Sequence, residues 1–447
     1  MRRKNLVANI TGVVLPTLAA LLAIPQLINL LGLERFGLLS LGWMLVGFWG
    51  LLDFGLARAI THAVSSESNF HSASFKRALS IRLTLLMSLL GVIWAVVFGL
   101  AAPWLVISVL SIPVDLQKEV VNASYWMALQ IPIMLFVNAR LAVLEGQHRF
   151  VKANLLKAPF GMAMFLLPLG VAFASVNIGH IFAALFGLRL IYGLFLFWGV
   201  WSGAHSTYPL TWQETKASLV FSGWLAVSNV VGPMLTYFDR FYISAFLGLT
   251  AVAYYTIPYD LLMRFLVLPM AIMGVVFPLL TQSLSKQAYD GVEQALSKSL
   301  NLLLGFWLPV LIISLIFAKP LLSLWLGEDT STHTWKIAQL FLVGVFINGL
   351  AMILYNLLQA QGRTDLTAQF HLLELPLYAA VFVFAVAQWQ LLGAAFAWVL
   401  RAWLDFMLLW CASRRVFPVA FFAVNKIMIV KIVVVGCMLL WIGHQWN

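Results

Sequence analysis

Residues 83–103 read LTLLMSLLGVIWAVVFGLAAP, a run without a single charge, preceded by Lys76, Arg77 and Arg82. At 1.5 Å per residue a helix of this length spans about 30 Å, the thickness of a bilayer's hydrocarbon core. Barrel strands would be about 9–11 residues long with alternating polarity, and this run does not alternate. Similar runs fill the chain. Of its 447 residues 62% are hydrophobic and 10% charged, against roughly 45–50% and 25% in soluble domains. Polar surface is too scarce to cover a soluble fold of this size. The sequence therefore predicts an all-α polytopic membrane protein, since only helices and closed barrels cross lipid.

The same arithmetic removes other classes. Disorder needs low hydrophobicity. Cys411 and Cys437 give neither a disulfide framework nor a metal-finger spacing. The net charge of +11 is spread thinly over many loops, so no nucleic-acid partner is expected and the charge is read as topology. Spans are predicted near 6–33, 38–64, 79–101, 121–145, 155–176, 180–201, 219–247, 252–281, 299–318, 336–360, 367–387 and 391–411. A thirteenth stretch, 427–443, is either a further span or an interfacial helix, with Lys431 extending back to the cytoplasmic face. With the N-terminus inside, sixteen Lys and Arg fall on the cytoplasmic side, and only Arg35, Lys118, Lys319 and Lys336 fall outside, as the positive-inside rule requires. The loops are short and carry no GxxxxGK[ST] phosphate loop, so there is no room for a soluble catalytic domain.

Self-comparison reveals a duplication. Val13-Val14-Leu15-Pro16 matches Val230-Val231-Gly232-Pro233, and Leu31-Gly32-Leu33 matches Leu247-Gly248-Leu249. Pro103 matches Pro320, Pro159 matches Pro376, and Gln147-His148-Arg149 matches Gln361-Gly362-Arg363. Six spans fit one repeat, so the halves are parallel repeats, the arrangement of secondary transporters whose lobes rock about a shared cavity. The expected organisation is an N-lobe at 1–203, a cytoplasmic linker at 204–217, a C-lobe at 218–415 and a C-terminal segment at 416–447.

Leu31-Gly32-Leu33-Glu34-Arg35-Phe36-Gly37-Leu38, followed by Asp53-Phe54-Gly55-Leu56, resembles bacterial polysaccharide flippases of the O-antigen type. So do Asp239-Arg240-Phe241-Tyr242-Ile243-Ser244, Tyr254-Tyr255 and Leu358-Gln359-Ala360-Gln361-Gly362-Arg363. The resemblance implies the multidrug/oligosaccharidyl-lipid/polysaccharide exporter fold, two six-helix lobes in a V around a central cavity. It implies a cargo, an oligosaccharide on undecaprenyl pyrophosphate, moved to the outer leaflet of the bacterial inner membrane. Its implied partners are the bilayer, the polysaccharide polymerase and the chain-length proteins. A multidrug exporter, a lipid II flippase and a membrane-embedded glycan polymerase or ligase are the alternatives. The last of these commonly carries a large outer loop that this chain lacks.

Ionisable residues inside spans cost roughly 2.5–3.5 kcal/mol each at mid-bilayer and are the candidates for function. The basic ones are Arg58, Arg140, Arg189, Arg240, Arg264 and Arg401, and the acidic ones Asp53, Asp239, Asp260, Glu374 and Asp405. Guanidinium keeps its charge in a low dielectric and grips phosphate in a planar fork, so the arginines are candidates for the pyrophosphate. Arg58 and Arg140 lie near the cytoplasmic third and can snorkel. Asp260 with Arg264, and Arg401 with Asp405, are spaced i,i+4 and can neutralise each other. Arg189 has no acid within four residues, and Glu374 no lysine or arginine. The first lobe sums to +2 and the second to −1 over these residues. This predicts a phosphate grip in the first and acids that exchange a proton or sodium ion in the second. On the tenth span Asn348, Met352, Asn356 and Gln359 form a polar stripe, as Ser228, Gly232 and Thr236 do on the seventh. No histidine spacing suggests a metal site, no catalytic residue is predicted, and the coupling ion is the one cofactor expected.

Overall fold

The computed structural model describes residues 3–51, 53–65, 73–147, 149–201, 208, 211, 212, 215, 237–416 and 421–446. The expected linker is thus covered only in part. The seventh span is described only from residue 237, which leaves Ser228, Gly232 and Thr236 outside the described residues. Every regular element described is helical. The described residues form two compact units, 1–253 and 254–447.

The first unit holds α1 (Arg3–Leu51), α2 (Leu56–Ser65), α3 (Ala73–Trp104), α4 (Val114–Gly146), α5 (Phe150–Ala172), α6 (Ile178–Trp201) and α7 (237–247). α1 is long enough for two spans, and its contacts require two. A side chain on Gly161 of α5 would come within 2.7 Å of Pro16, while the Phe165 ring, one turn on, sits 5.0 Å from Trp43. Pro16 and Trp43 would be about 40 Å apart along a straight helix. The chain therefore reverses at Gly32, whose φ of 77° and ψ of 165° leave the helical region. Only glycine takes that conformation without steric cost. Gly248, its partner in the duplication, has φ 84° and separates α7 from α8 (Leu249–Met263). The repeat read from sequence is thus a repeat of backbone conformation.

The second unit continues with α9 (Val267–Ser285), α10 (Tyr289–Leu302), α11 (Leu308–Ile316), α12 (Ala318–Leu326), α13 (Glu328–Ala360), α14 (Thr364–Val416) and α15 (Phe421–Trp446). α14 is again two spans. Gln390 has φ 50° and ψ −128°, and Glu374 meets Arg401 across the break. Between α8 and α9 the helix tightens to 3₁₀ at Arg264–Leu266. Pro269 has no N–H to bond the carbonyl four residues back, and the Trp307 indole donates to that Phe265 carbonyl instead, at 2.9 Å.

α4 and α13 occupy equivalent places in the two repeats and are the most buried spans of their units. In the first unit Leu56, Ile60, Leu83, Met87, Leu135 and Val143 pack α2, α3 and α4 into one core. Along the C-terminal half of α13 the partly exposed positions include Asn348, Met352, Asn356 and Gln359, the polar stripe of the sequence.

Within the C-terminal segment residues 421–446 form one helix, of which residues 425–446 are long and apolar enough to cross a membrane. Lys431 does not reach out of it as the sequence suggested. It is buried, with its ammonium 4.2 Å from the Phe406 ring centre and 4.7 Å from that of Trp403. The reason is packing: α15 lies against α14 and turns Lys431 onto two aromatic faces, a cation–π contact that replaces water.

Candidate functional site

In the first unit α1, α4, α5 and α6 line a partly open cavity of about 450 Å³, whose lining includes Trp43, Asn138, Lys157, Phe160, Arg189 and Tyr192. Arg189 is 5% exposed and comes from the middle of α6. Its guanidinium lies 5.4 Å from the Phe160 ring centre, and Phe160 stacks on Tyr192 at 4.6 Å. One nitrogen, Nη2, approaches the Met164 sulfur at 3.8 Å, a weak acceptor. Arg189 Nε, Trp43 Nε1 and the Tyr192 hydroxyl are buried without a hydrogen-bond partner among the described residues. An unmet buried donor costs about 1–3 kcal/mol, more when charged. Three such groups around one cavity suit a ligand rich in acceptor oxygens. Lys157 adds a second cation at the cavity wall and is held 2.5 Å from Glu145 on α4.

In the second unit the two arms of α14 bring together a different chemistry. Glu374 is fully buried. Its Oε2 lies 3.7 Å from Arg401 Nε and 3.7 Å from His371 Nδ1. Asp405 joins them, and atoms of His371, Glu374 and Asp405 all fall within 4.8 Å of one another. The Arg401 guanidinium lies 5.6 Å from the Tyr378 ring centre. A cavity of about 210 Å³ opens beside Glu374, Tyr378, Arg401 and Trp403, otherwise apolar in lining. Three such ligands could in principle hold a metal ion. The fixed charge of Arg401 beside the same carboxylate oxygen opposes one.

The remaining candidates divide clearly. Asp53 spends both oxygens on backbone: Gly55 N donates at 2.9 Å and Ala57 N at 3.0 Å, which caps α2. Arg58 is exposed on α2. Arg140 is buried on α4 but does not line the cavity. Asp239 and Arg240 are buried on α7, and an Asp239 oxygen accepts from the Arg240 backbone N–H at 2.7 Å. Asp260 and Arg264 are half-buried and interact at i,i+4, as their spacing suggested. Arg401 does not simply neutralise Asp405 on its own arm; it reaches the other arm and Glu374. The residues that sequence reasoning missed are His371, Lys157 as a cavity cation, and the aromatic lining. His371 precedes Glu374 by three residues, a spacing that carried the signal.

The sequence model of the family described as polysaccharide biosynthesis protein matches residues 3–284, and that described as MatE matches 225–385. A Shigella flexneri protein named "Putative O-antigen transporter" is 31% identical over 418 residues, covering 92% of this chain and 97% of that one. An inward-facing multidrug resistance MATE family transporter of the MOP superfamily superposes with TM-score 0.75 at 14% identity, covering 93% of this chain and 99% of its own. A MOP superfamily transporter from Pyrococcus furiosus superposes with TM-score 0.57 at 13% identity, covering 96% and 94%. At such identities the superpositions speak for the fold alone.

Proposed function

This chain belongs to the polysaccharide biosynthesis protein family, and from that premise we propose that it is a flippase and not an enzyme. Its cargo is an oligosaccharide carried on undecaprenyl pyrophosphate. It moves that cargo from the inner to the outer leaflet of the bacterial inner membrane by alternating access, with its N-terminus in the cytoplasm. Arg189 carries this reading: a buried guanidinium with an unmet donor, facing a cavity that also presents Lys157 and two further unmet donors. A diphosphate supplies the missing acceptors and the negative charge, and the planar fork favours it over a point charge. The aromatic rings beside Arg189 offer flat faces against which a sugar attached to the diphosphate can lie.

The acids of the second unit supply the coupling. In this reading Glu374 and Asp405 take up an ion in one state and release it in the other. That couples the return of the empty carrier to an ion gradient. The MatE match over 225–385 favours a second reading, a drug exporter. A cationic drug would meet Arg189 and Lys157 as like charges, which disfavours that reading for the first cavity. Deletion in the native host, with mass spectrometry of undecaprenyl-linked intermediates, separates the two. A flippase leaves lipid-linked repeat units facing the cytosol and no surface polysaccharide. A drug exporter leaves polysaccharide intact and raises drug sensitivity.

A further inference from the structure

We infer that His371 is the proton port of the second unit's acid cluster, the group through which a proton passes between water and the buried Glu374 carboxylate. The inference rests on the ion-coupled reading above and narrows the ion to a proton. Arg401 Nε stands 3.7 Å from Glu374 Oε2, so a metal cation bound at that oxygen would face a guanidinium, whereas a proton removes the carboxylate's charge without needing further ligands.

The exposure of the cluster is graded. The Glu374 side chain has no exposed surface, while the His371 side chain keeps 35% of its own. Within His371 the Nδ1 atom is buried and faces Glu374, so the exposed surface lies elsewhere on the side chain. Along α14 His371 lies about 10 Å from the helix start and Glu374 about 15 Å. That start is the exposed turn where Arg363 pairs with Asp365 at 3.0 Å. A buried nitrogen facing the acid, exposed surface elsewhere on the side chain and a position nearer the helix start together fit a relay between water at that end and a buried acid.

The groups around the imidazole come from each neighbouring helix. Glu374 is on its own arm, Arg401 and Asp405 on the other arm, and the Tyr355 ring of α13 lies 6.5 Å away. Lys431 of α15 lies over Phe406, beside Asp405. In the inward step Nε2 takes a proton from hydronium or a buffer acid. The imidazolium then gives its Nδ1 proton to Glu374 Oε2. The histidine is left neutral with its proton on Nε2; ring rotation then turns Nδ1 to water, where Nδ1 gains a proton as Nε2 loses one, and this exchange followed by the return rotation restores the starting tautomer. The reverse sequence releases the proton. Closing 3.7 Å to a charge-assisted hydrogen bond takes a side-chain movement of about 1 Å.

The test uses the full chain in vesicles with an internal pH dye, undecaprenyl diphosphate as the added probe, and an imposed pH gradient. Wild type moves protons when the probe is added. His371→Ala and His371→Gln bind the probe as wild type does but lose proton flux by roughly 100-fold, the usual scale of a missing proton-transfer group. Millimolar imidazole in the buffer restores the Ala variant, and it does not restore Glu374→Gln. Wild-type flux in either His371 variant overturns the inference. So does a loss that imidazole leaves unrepaired, or loss of folded protein in both variants, which would make His371 a packing residue. A wild type that moves no protons at all instead overturns the ion-coupled reading beneath it, and the two failures are therefore distinguishable.

Discussion

Arg401 Nε stands 3.7 Å from Glu374 Oε2, although the two residues lie 27 positions apart on α14 and would be about 40 Å apart were it straight. The reversal at Gln390 makes them neighbours. With Glu374 wholly buried, Arg401→Gln should strand a carboxylate at a cost of about 3–5 kcal/mol, the scale for breaking a buried ion pair. Thermal unfolding in detergent should register the loss. The double variant with Glu374→Gln should recover part of it, by about 0.5–3 kcal/mol of coupling. Additive losses would place Arg401 outside the pair.

The same reversal predicts an intolerant glycine. A Cβ on Gly393 would lie 1.9 Å from the Ala385 carbonyl oxygen, and a backbone atom cannot yield as a side-chain tip does. Gly393→Ala should therefore leave little folded protein in the membrane. Gly170→Ala, with nothing within 4 Å of its Cβ, is the matched control and should accumulate normally.

Much of this was legible in the sequence, and the residues say why. Span positions follow from hydropathy, and Gly32 and Gly248 were visible as a repeated pair before their backbone angles were known. Arg189 and Glu374 stood out because each lacks an opposite charge nearby on its own helix. Long-range closure was not legible. Nothing local says that Arg401 answers Glu374 across a hairpin, or that Asp53 turns both oxygens to backbone. His371 is legible in the sequence only as a neighbour of Glu374 at i,i+3, while its second partner, Asp405, comes from the other arm, which no local spacing reveals.

The C-terminal helix should prove integral to the second unit. Gln339 on α13 donates to Gln445 at 2.5 Å and accepts from the Trp446 indole at 2.8 Å. Ending the chain after Val416 should lower the unfolding temperature of the purified protein. Lys431→Met keeps the packing and removes a buried charge, so it should be neutral or stabilising by up to about 4 kcal/mol. Lys431→Glu should destabilise, because it sets an anion against two ring faces. Equal behaviour of the Met and Glu variants would mean the site is wet.

Topology offers an independent check on the parallel repeat. Reporter fusions after Gly203 and Lys286 should read cytoplasmic, and fusions near Asp115 and Asp329 periplasmic. A cytoplasmic reading at Asp329 alone would break the equivalence of the two halves.

The measurement closest to the central claim is the binding of undecaprenyl diphosphate to the purified chain, read by native mass spectrometry, for wild type, Arg189→Lys and Arg189→Ala. Wild type should bind and Arg189→Lys should bind more weakly, since a point charge lacks the bidentate fork. Arg189→Ala should lose binding by at least about tenfold, as a charged hydrogen bond is worth about 1.5–3 kcal/mol, while keeping its thermal stability. Undiminished binding by Arg189→Ala would contradict the account, because the cavity of the first unit would then not be where the diphosphate is held.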